Sequence, residues 1–334
     1  MSGPLTVIDM HTGGEPLRII TGGYPDLPKG TILEKRAYVR DHLDHLRKLM
    51  MLEPRGHADM YGALLVEPDL PGADLAVLFM HNAGYSTMCG HAVIALGRFA
   101  VDQGLVTPRE RVTPVNIECP CGLVRAEVAM RDGQPAEVSF ESVPSFLFAR
   151  DRVLDIGEWG RIRFDIAYGG AFYALADARQ FGLRFGRDPV AAFVAAGDSL
   201  TRAASAAIAL HHPDDAELAF LYGTILTDGN DAYSDRPTRN VCVFAERQVD
   251  RSPTGSGVTA RLAAMQARGQ IAPGQSRVFE SLVGSRFSGS VASATTAGPY
   301  PAITAMVTGR AFYSGKAEFT IEDGDPFAEG FLVR

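Results

Sequence analysis

Met88-Cys89-Gly90-His91-Ala92-Val93 and Pro253-Thr254-Gly255-Ser256-Gly257-Val258 are two versions of one local pattern. Each follows an apolar, strand-like stretch, turns through a tight loop and enters a helix that Cys89 or Thr254 opens. Gly90 matches Gly255, Val93 matches Val258 and Ala95 matches Ala260, and each run stops on a glycine, Gly104 or Gly269. One copy carries a thiol where the other carries a hydroxyl. That mismatch points to a two-sided site with a usable base on one side only.

The correspondence extends beyond the helices. Asp9-Met10-His11-Thr12-Gly13-Gly14 parallels Asp165-Ile166-Ala167-Tyr168-Gly169-Gly170, both D-x-x-x-G-G in a strand context. A helix-like stretch follows in each half. The first runs through Tyr38 to Met51; the second opens at Asp188-Pro189, a capping residue with proline at the first helical position. Strand patterns come next, Leu75 to Phe79 and Val241 to Phe244, and then the Cys-Gly or Thr-Gly helix start. Three matches in the same order make an internal repeat, and two copies make a pseudo-symmetric pair of domains rather than a solenoid. Further strands are expected around Val138-Ser139-Phe140, over Ala302 to Val307, and in the alternating run after Gly309. The predicted architecture is α/β (α+β): two domains, each a barrel-like, mostly antiparallel sheet around a central helix. The expected boundaries are 1–126 with 302–334 for the domain carrying Cys89, and 127–301 for the domain carrying Thr254. No Ser/Gly-rich linker separates them, and the cleft between such domains is the expected place for an active site.

Composition narrows the partners. With 46% hydrophobic and 21% charged residues, and no apolar run approaching a membrane span, the chain reads as soluble and globular. Met1-Ser2-Gly3-Pro4-Leu5 has no basic segment leading an apolar core, so no export signal is expected and a cytoplasmic setting is the default. A formal charge of -7 without a basic tract argues against nucleic acid or an anionic membrane as partner. Only Lys29, Lys35, Lys48 and Lys316 are available as Schiff-base lysines. Cys119-Pro120-Cys121 is too tight for a C-x2-C zinc knuckle and reads as neighbouring strand residues, while Cys242 lies in a buried-strand pattern. His42 and His45, with Asp41 and Asp44, have metal-like spacing but no third convergent ligand, so a solvated helix face is expected; His211-His212-Pro213 reads as a helix terminus. Gly13-Gly14 lacks dinucleotide spacing and no phosphate loop is present. Neither a cofactor nor a metal is expected.

The two helix starts are the places where chemistry is expected. A helix N-terminus leaves backbone N–H groups unpaired and partially positive, so it attracts anions. Gly90 and Gly255 let a ligand approach that backbone closely. Cys89 is a poor capping residue, and the helix dipole favours its thiolate, whereas Thr254 reads equally well as a simple cap. His91 adds a polar group beside Cys89. Asp250, four residues before Thr254, is placed either to accept hydrogen bonds from a substrate ammonium or to close a turn.

Met88 to His91 and Asp250-Arg251-Ser252-Pro253-Thr254-Gly255-Ser256-Gly257 resemble the motifs of the proline racemase family. Asp9 to Arg18 (D-M-H-T-G-G-E-P-L-R) and Glu53 to Gly62 (E-P-R-G-H-x-D-M-Y-G) extend the likeness over essentially the whole chain. The resemblance implies two diaminopimelate epimerase-like domains and an imino-acid substrate. It implies that Gly90, His91, Asp250, Gly255 and Ser256 bind that substrate. Racemases and epimerases of the family use a cysteine on each face of the substrate Cα. The first is matched by Cys89, the second is replaced by Thr254, and cysteine followed by threonine is the pattern of the family's dehydratase branch. A homodimer is the expected assembly.

Acid–base chemistry supports the same reading independently. Racemisation needs groups of comparable proton affinity on both faces, and a threonine hydroxyl does not qualify near neutral pH. Dehydration of trans-3-hydroxy-L-proline needs one Cα deprotonation and loss of a hydroxyl on the same ring face, which a single thiolate serves. The expected product is Δ1-pyrroline-2-carboxylate. The alternatives are a hydroxyproline 2-epimerase or proline racemase with another second acid, and, from a different class, a catalytically silent amino-acid-binding protein, against which the intact Cys89 argues.

Overall fold

The computed structural model describes residues 4–333; Met1 to Gly3, part of the segment read for an export signal, lie outside them. Contacts group the chain into two units, one running to Val138 and resuming at Arg310, the other Ser139–Gly309.

The first unit opens with β1 (Leu5–Thr12) and β2 (Glu15–Gly22), joined through Gly13-Gly14. Two helices follow, α1 (Ile32–His42) and α2 (Asp44–Met51), then β3 (Tyr61–Val66), β4 (Leu75–His81) and β5 (Gly84–Ser86). Next come α3 (Gly90–Asp102), β6 (Val112–Cys119), β7 (Gly122–Arg131) and β8 (Gln134–Glu141), the last of which carries the chain into the second unit. That unit contains β9 (Ser145–Asp155), β10 (Arg161–Tyr168), β11 (Phe172–Asp177), α4 (Val190–Ala207), β12 (Leu221–Thr227), β13 (Thr238–Phe244) and β14 (Gln248–Asp250). It ends with α5 (Gly255–Ala267), β15 (Ser276–Glu280), β16 (Arg286–Ala297) and β17 (Tyr300–Gly309), after which β18 (Ala311–Phe319) returns to the first unit.

Strand pairing bears out the internal repeat. In the first unit β1–β2 is antiparallel, β2–β3 parallel, β3–β4 and β4–β5 antiparallel, β4–β6 parallel and β6–β7 antiparallel. The second unit repeats these senses in order, from β10–β11 through β11–β12, β12–β13, β13–β14 and β13–β15 to β15–β16. Each first strand gains one more antiparallel neighbour from elsewhere in the chain, β18 beside β1 and β9 beside β10. In the second unit β16–β17 and β17–β9 then close the strands into a ring.

The ring needs something inside it, and sequence supplies a helix that is buried nearly all round. Every residue of α5 from Gly255 to Met265 is buried, as is every residue of α3 from Gly90 to Val101 except Arg98. Such a helix has no face for water and must be surrounded. The wrapping is close: a Cβ on Gly97 would stand 2.9 Å from Val138 Cγ1. Both central helices end alike. The N–H of Leu105 reaches Ala100 O at 2.9 Å and that of Gln270 reaches Met265 O at 2.8 Å, while Gly104 and Gly269 take φ of 70° and 69°. These are matched Schellman endings, and the left-handed backbone explains why both stops are glycine.

Three local expectations need correction. The single helix expected through Tyr38 to Met51 is two, broken at Leu43, which has φ -123° and ψ 15°. Pro189 is the N-cap of α4 rather than its first residue, and Asp188 accepts the N–H of Arg184 at 2.8 Å instead of capping. His211 and His212 do not end a helix, since α4 stops at Ala207. They join an aromatic cluster, with His212 against Tyr168 at 4.5 Å and His211 Nε2 2.6 Å from the Tyr300 hydroxyl. Burial pushes the pKa of His212 down.

Candidate active site

Cys89 is the N-cap of α3 and has an ordinary extended backbone, φ -147° and ψ 104°. Its sulfur makes no capping hydrogen bond, and the first intrahelical bond is Val93 N–H to Cys89 O at 3.0 Å. The N–H groups of the preceding turn therefore face outward along the helix axis, where the dipole favours negative charge. The side chain is 5% exposed.

His91 stands beside Cys89, with Sγ 3.0 Å from Nδ1 and 3.6 Å from Nε2. So small a difference puts the sulfur alongside the ring rather than at the end of one nitrogen's lone pair. Nε2 also lies 3.3 Å from Pro16 O, a group that only accepts, so the proton belongs on Nε2 in the neutral ring. The Thr12 hydroxyl donates to His91 O at 2.8 Å, and the Tyr61 ring meets the imidazole edge-on at 4.9 Å. The other nearby thiols differ. Burial pushes Cys121 up to about 12 and Cys119 well above the usual thiol range, so both stay protonated.

Thr254 is the N-cap of α5, but its backbone is unlike that of Cys89: φ is 65° and ψ 95°. A β-branched residue at positive φ is an outlier, and such conformations cost about 1–3 kcal/mol. An N-cap threonine in the extended region would point Oγ1 at a first-turn N–H and gain about 1 kcal/mol. Here Oγ1 is buried and makes no hydrogen bond among the described residues. The hydroxyl is withheld from the helix.

The preceding loop explains how. Asp250 Oδ1 accepts the N–H of Ser252 at 2.7 Å, and Ser252 Oγ accepts the N–H of Thr254 at 3.0 Å. Asn240 Nδ2 donates to Pro253 O at 3.0 Å. Asp250 is thus a turn aspartate through one oxygen, while Oδ2 makes no hydrogen bond among the described residues. The Ser256 hydroxyl pairs with the Tyr173 hydroxyl at 2.7 Å. Gly169, from the D-x-x-x-G-G repeat, lies against this turn; a Cβ there would stand 2.3 Å from Ser256 O.

The seven residues named from sequence thus fall into two groups: Cys89, Gly90 and His91 at one helix start, and Asp250, Thr254, Gly255 and Ser256 at the other. Sequence reading missed Ser252, although the every-second-residue series Asp250, Ser252, Thr254 is a legible turn signal. It also assigned no role to Asn240, Tyr173 or Thr12, which the packing of strands against the two helix starts brings there. A cavity of about 240 Å³ in the second unit, lined by Asp151, Asp165 and Arg268 among others, opens at the far end of α5 and contains none of the seven.

Residues 7–332 match the proline racemase family. The chain is 55% identical to a trans-L-3-hydroxyproline dehydratase of Saccoglossus kowalevskii, over 97% of this chain and all of the relative. It is 52% identical to the human trans-3-hydroxy-L-proline dehydratase, over 99% of this chain and 95% of that one. A crystal structure of a hydroxyproline epimerase from Agrobacterium vitis with bound trans-4-hydroxy-L-proline superposes with a TM-score of 0.92 at 31% identity, covering 99% of this chain and 96% of that one. By motif, strand order and sequence, the chain belongs to the proline racemase family.

Proposed function

We propose that this protein is a trans-3-hydroxy-L-proline dehydratase, a hydro-lyase in which Cys89 is the base. The observation that carries the reading is the unequal pair of helix starts, a thiol at Cys89 and a hydroxyl at Thr254. Relatives named as dehydratases of this substrate, at 52% and 55% identity, support it. In the proposed reaction the Cys89 thiolate takes the Cα proton. The electron pair left on Cα then forms the Cα–Cβ double bond and expels the 3-hydroxyl, which leaves as water with the proton from the same thiol. The enamine tautomerises to Δ1-pyrroline-2-carboxylate. Gly90, His91, Gly255 and Ser256 would hold the carboxylate through first-turn N–H groups, which stabilise charge spreading onto it as Cα is deprotonated. Asp250 Oδ2 would accept from the ring ammonium.

The proposal assigns both helix starts to one substrate and includes a cytoplasmic homodimer acting on a free imino acid. Incubation with trans-3-hydroxy-L-proline, trans-4-hydroxy-L-proline and L-proline separately, followed by trapping of the cyclic imine and chiral chromatography, tests it. Imine from the first alone is the expected result. Inversion at Cα would instead make the protein an epimerase, and binding without turnover a silent binder.

A further inference from the structure

Strand and helix register align the two units element by element, and the alignment isolates one difference behind Thr254. The parallel pairings Leu75↔Ile117 and Thr238↔Phe279 make β4 the counterpart of β13, so Thr238 and Asn240 answer to the wholly apolar, buried stretch Leu75 to Leu78. Counting from the N-caps Cys89 and Thr254, Arg261 is the counterpart of Leu96. The first unit therefore fills these positions with buried apolar residues of β4 and with Leu96; the second fills them with Thr238, Asn240 and Arg261, none more than 1% exposed.

The polar three form a relay. Arg261 Nη1 donates to Asn240 Oδ1 at 2.9 Å, and Nη2 donates to Asp231 Oδ1 at 2.6 Å and Thr238 Oγ1 at 2.8 Å. Asn240 then donates to Pro253 O, at 3.0 Å. The partners fix the amide's orientation, because a guanidinium only donates and a carbonyl only accepts. Packing alone does not call for this arrangement, since apolar residues fill the same places in the sister unit, and buried ionic groups exchanged for apolar ones commonly cost no stability. What differs locally is the residue being held. Cys89 has an extended backbone; Thr254 is kept at φ 65° with its hydroxyl off the helix.

We propose that Asn240 and Arg261 are positioning residues for Thr254: they pin the Pro253 carbonyl, which keeps the Thr254 backbone left-handed and its hydroxyl available to substrate instead of capping α5. The inference rests on the reading of Thr254 as a site residue. In this proposal both act through Pro253 and not on the substrate.

The test uses Asn240→Asp, which is isosteric and still accepts from Arg261 but cannot donate to Pro253 O. As a second variant, Thr238→Leu/Asn240→Val/Arg261→Leu replaces all three with apolar residues of the kind the sister unit uses there. Both are expected to lower kcat for trans-3-hydroxy-L-proline by roughly 10- to 100-fold with little change in KM, the signature of misplacement in the transition state. A structural role alone would lower the melting temperature and leave kcat at 25 °C unmoved; that result in folded Asn240→Asp overturns the inference. Thr254→Cys supplies a readout independent of turnover. Alkylation of position 254, resolved by mass spectrometry, should change several-fold when Asn240→Asp is added. An unchanged rate overturns the positioning role even if dehydration is established, while absent dehydration in the wild type with a changed rate counts against the function alone.

Discussion

The two helix starts are built on one plan and held in opposite ways. Cys89 caps α3 with a relaxed, extended backbone and a side chain chemically unsuited to capping. Thr254 caps α5 with a side chain well suited to the task and a backbone that prevents it. In one unit the choice of residue keeps the polar group off the helix; in the other, backbone geometry does. Both leave a helix N-terminus without a side-chain cap, which is what an anion site requires. The difference teaches that pseudo-symmetry conserves the electrostatic frame while the side chain at each helix start is set independently.

Removing the thiol should have the largest effect. Cys89→Ser is expected to lower the dehydration rate by about 10²–10⁴-fold while substrate still binds. Serine in that extended N-cap can do what cysteine does not, so a gain of up to about 1 kcal/mol in stability should accompany the loss. Steady-state kinetics and urea unfolding of the same variant check both halves. Selective alkylation separates Cys89 from its neighbours. With Cys121 raised to about 12 and Cys119 well above its usual value, both stay protonated at pH 8. Their labelling should climb only as pH rises toward those values, whereas Cys89 labels first and is protected by substrate. Early labelling of Cys121 in intact protein would reassign the reactive thiol.

Asp250→Asn comes next. Asparagine keeps the acceptor for Ser252 N–H but removes the charge offered to an ammonium, so KM should rise roughly 10- to 100-fold. An unmoved KM reduces Asp250 to its turn role. Thr254→Cys then tests the asymmetry directly. A second thiol should introduce Cα inversion of trans-4-hydroxy-L-proline, read by chiral chromatography in deuterated water, with a several-fold loss of dehydration. Inversion by the wild type would break the one-base comparison. A folded variant with neither inversion nor exchange would separate Thr254 from the substrate of Cys89.

The smallest effect concerns backbone strain. Thr254→Gly relieves about 1–3 kcal/mol of left-handed strain, which offsets the lost side chain and the greater unfolded-state freedom of glycine. The stability change should therefore be near zero. Cys89→Gly has no strain to relieve and should cost roughly 2 kcal/mol. Equal losses in urea midpoint would mean that the φ of Thr254 stores no strain.

Much of the molecule was legible because its information is local. Both N-caps and both glycine stops lie where pattern placed them, since capping and left-handed termination depend on a few neighbouring residues. The break at Leu43 and the place of His211 and His212 were not legible. A short apolar run does not say where packing interrupts a helix, and the histidines answer to Phe146, Tyr168 and Tyr300, which are distant in sequence.

The amino-acid sequence by itself determined the repeat, the two buried helices, the thiol-and-hydroxyl pair and, through its motifs, the family. Those depend on residue type and short spacing. Only the tertiary structure decided that Thr254 is left-handed with an uncapped hydroxyl, that Ser256 is engaged by Tyr173, and that Asn240 and Arg261 stand behind Pro253. Each of these depends on contacts between segments joined only by strand pairing and helix packing. The direction of a side chain there follows from the register of distant elements, which no local pattern encodes.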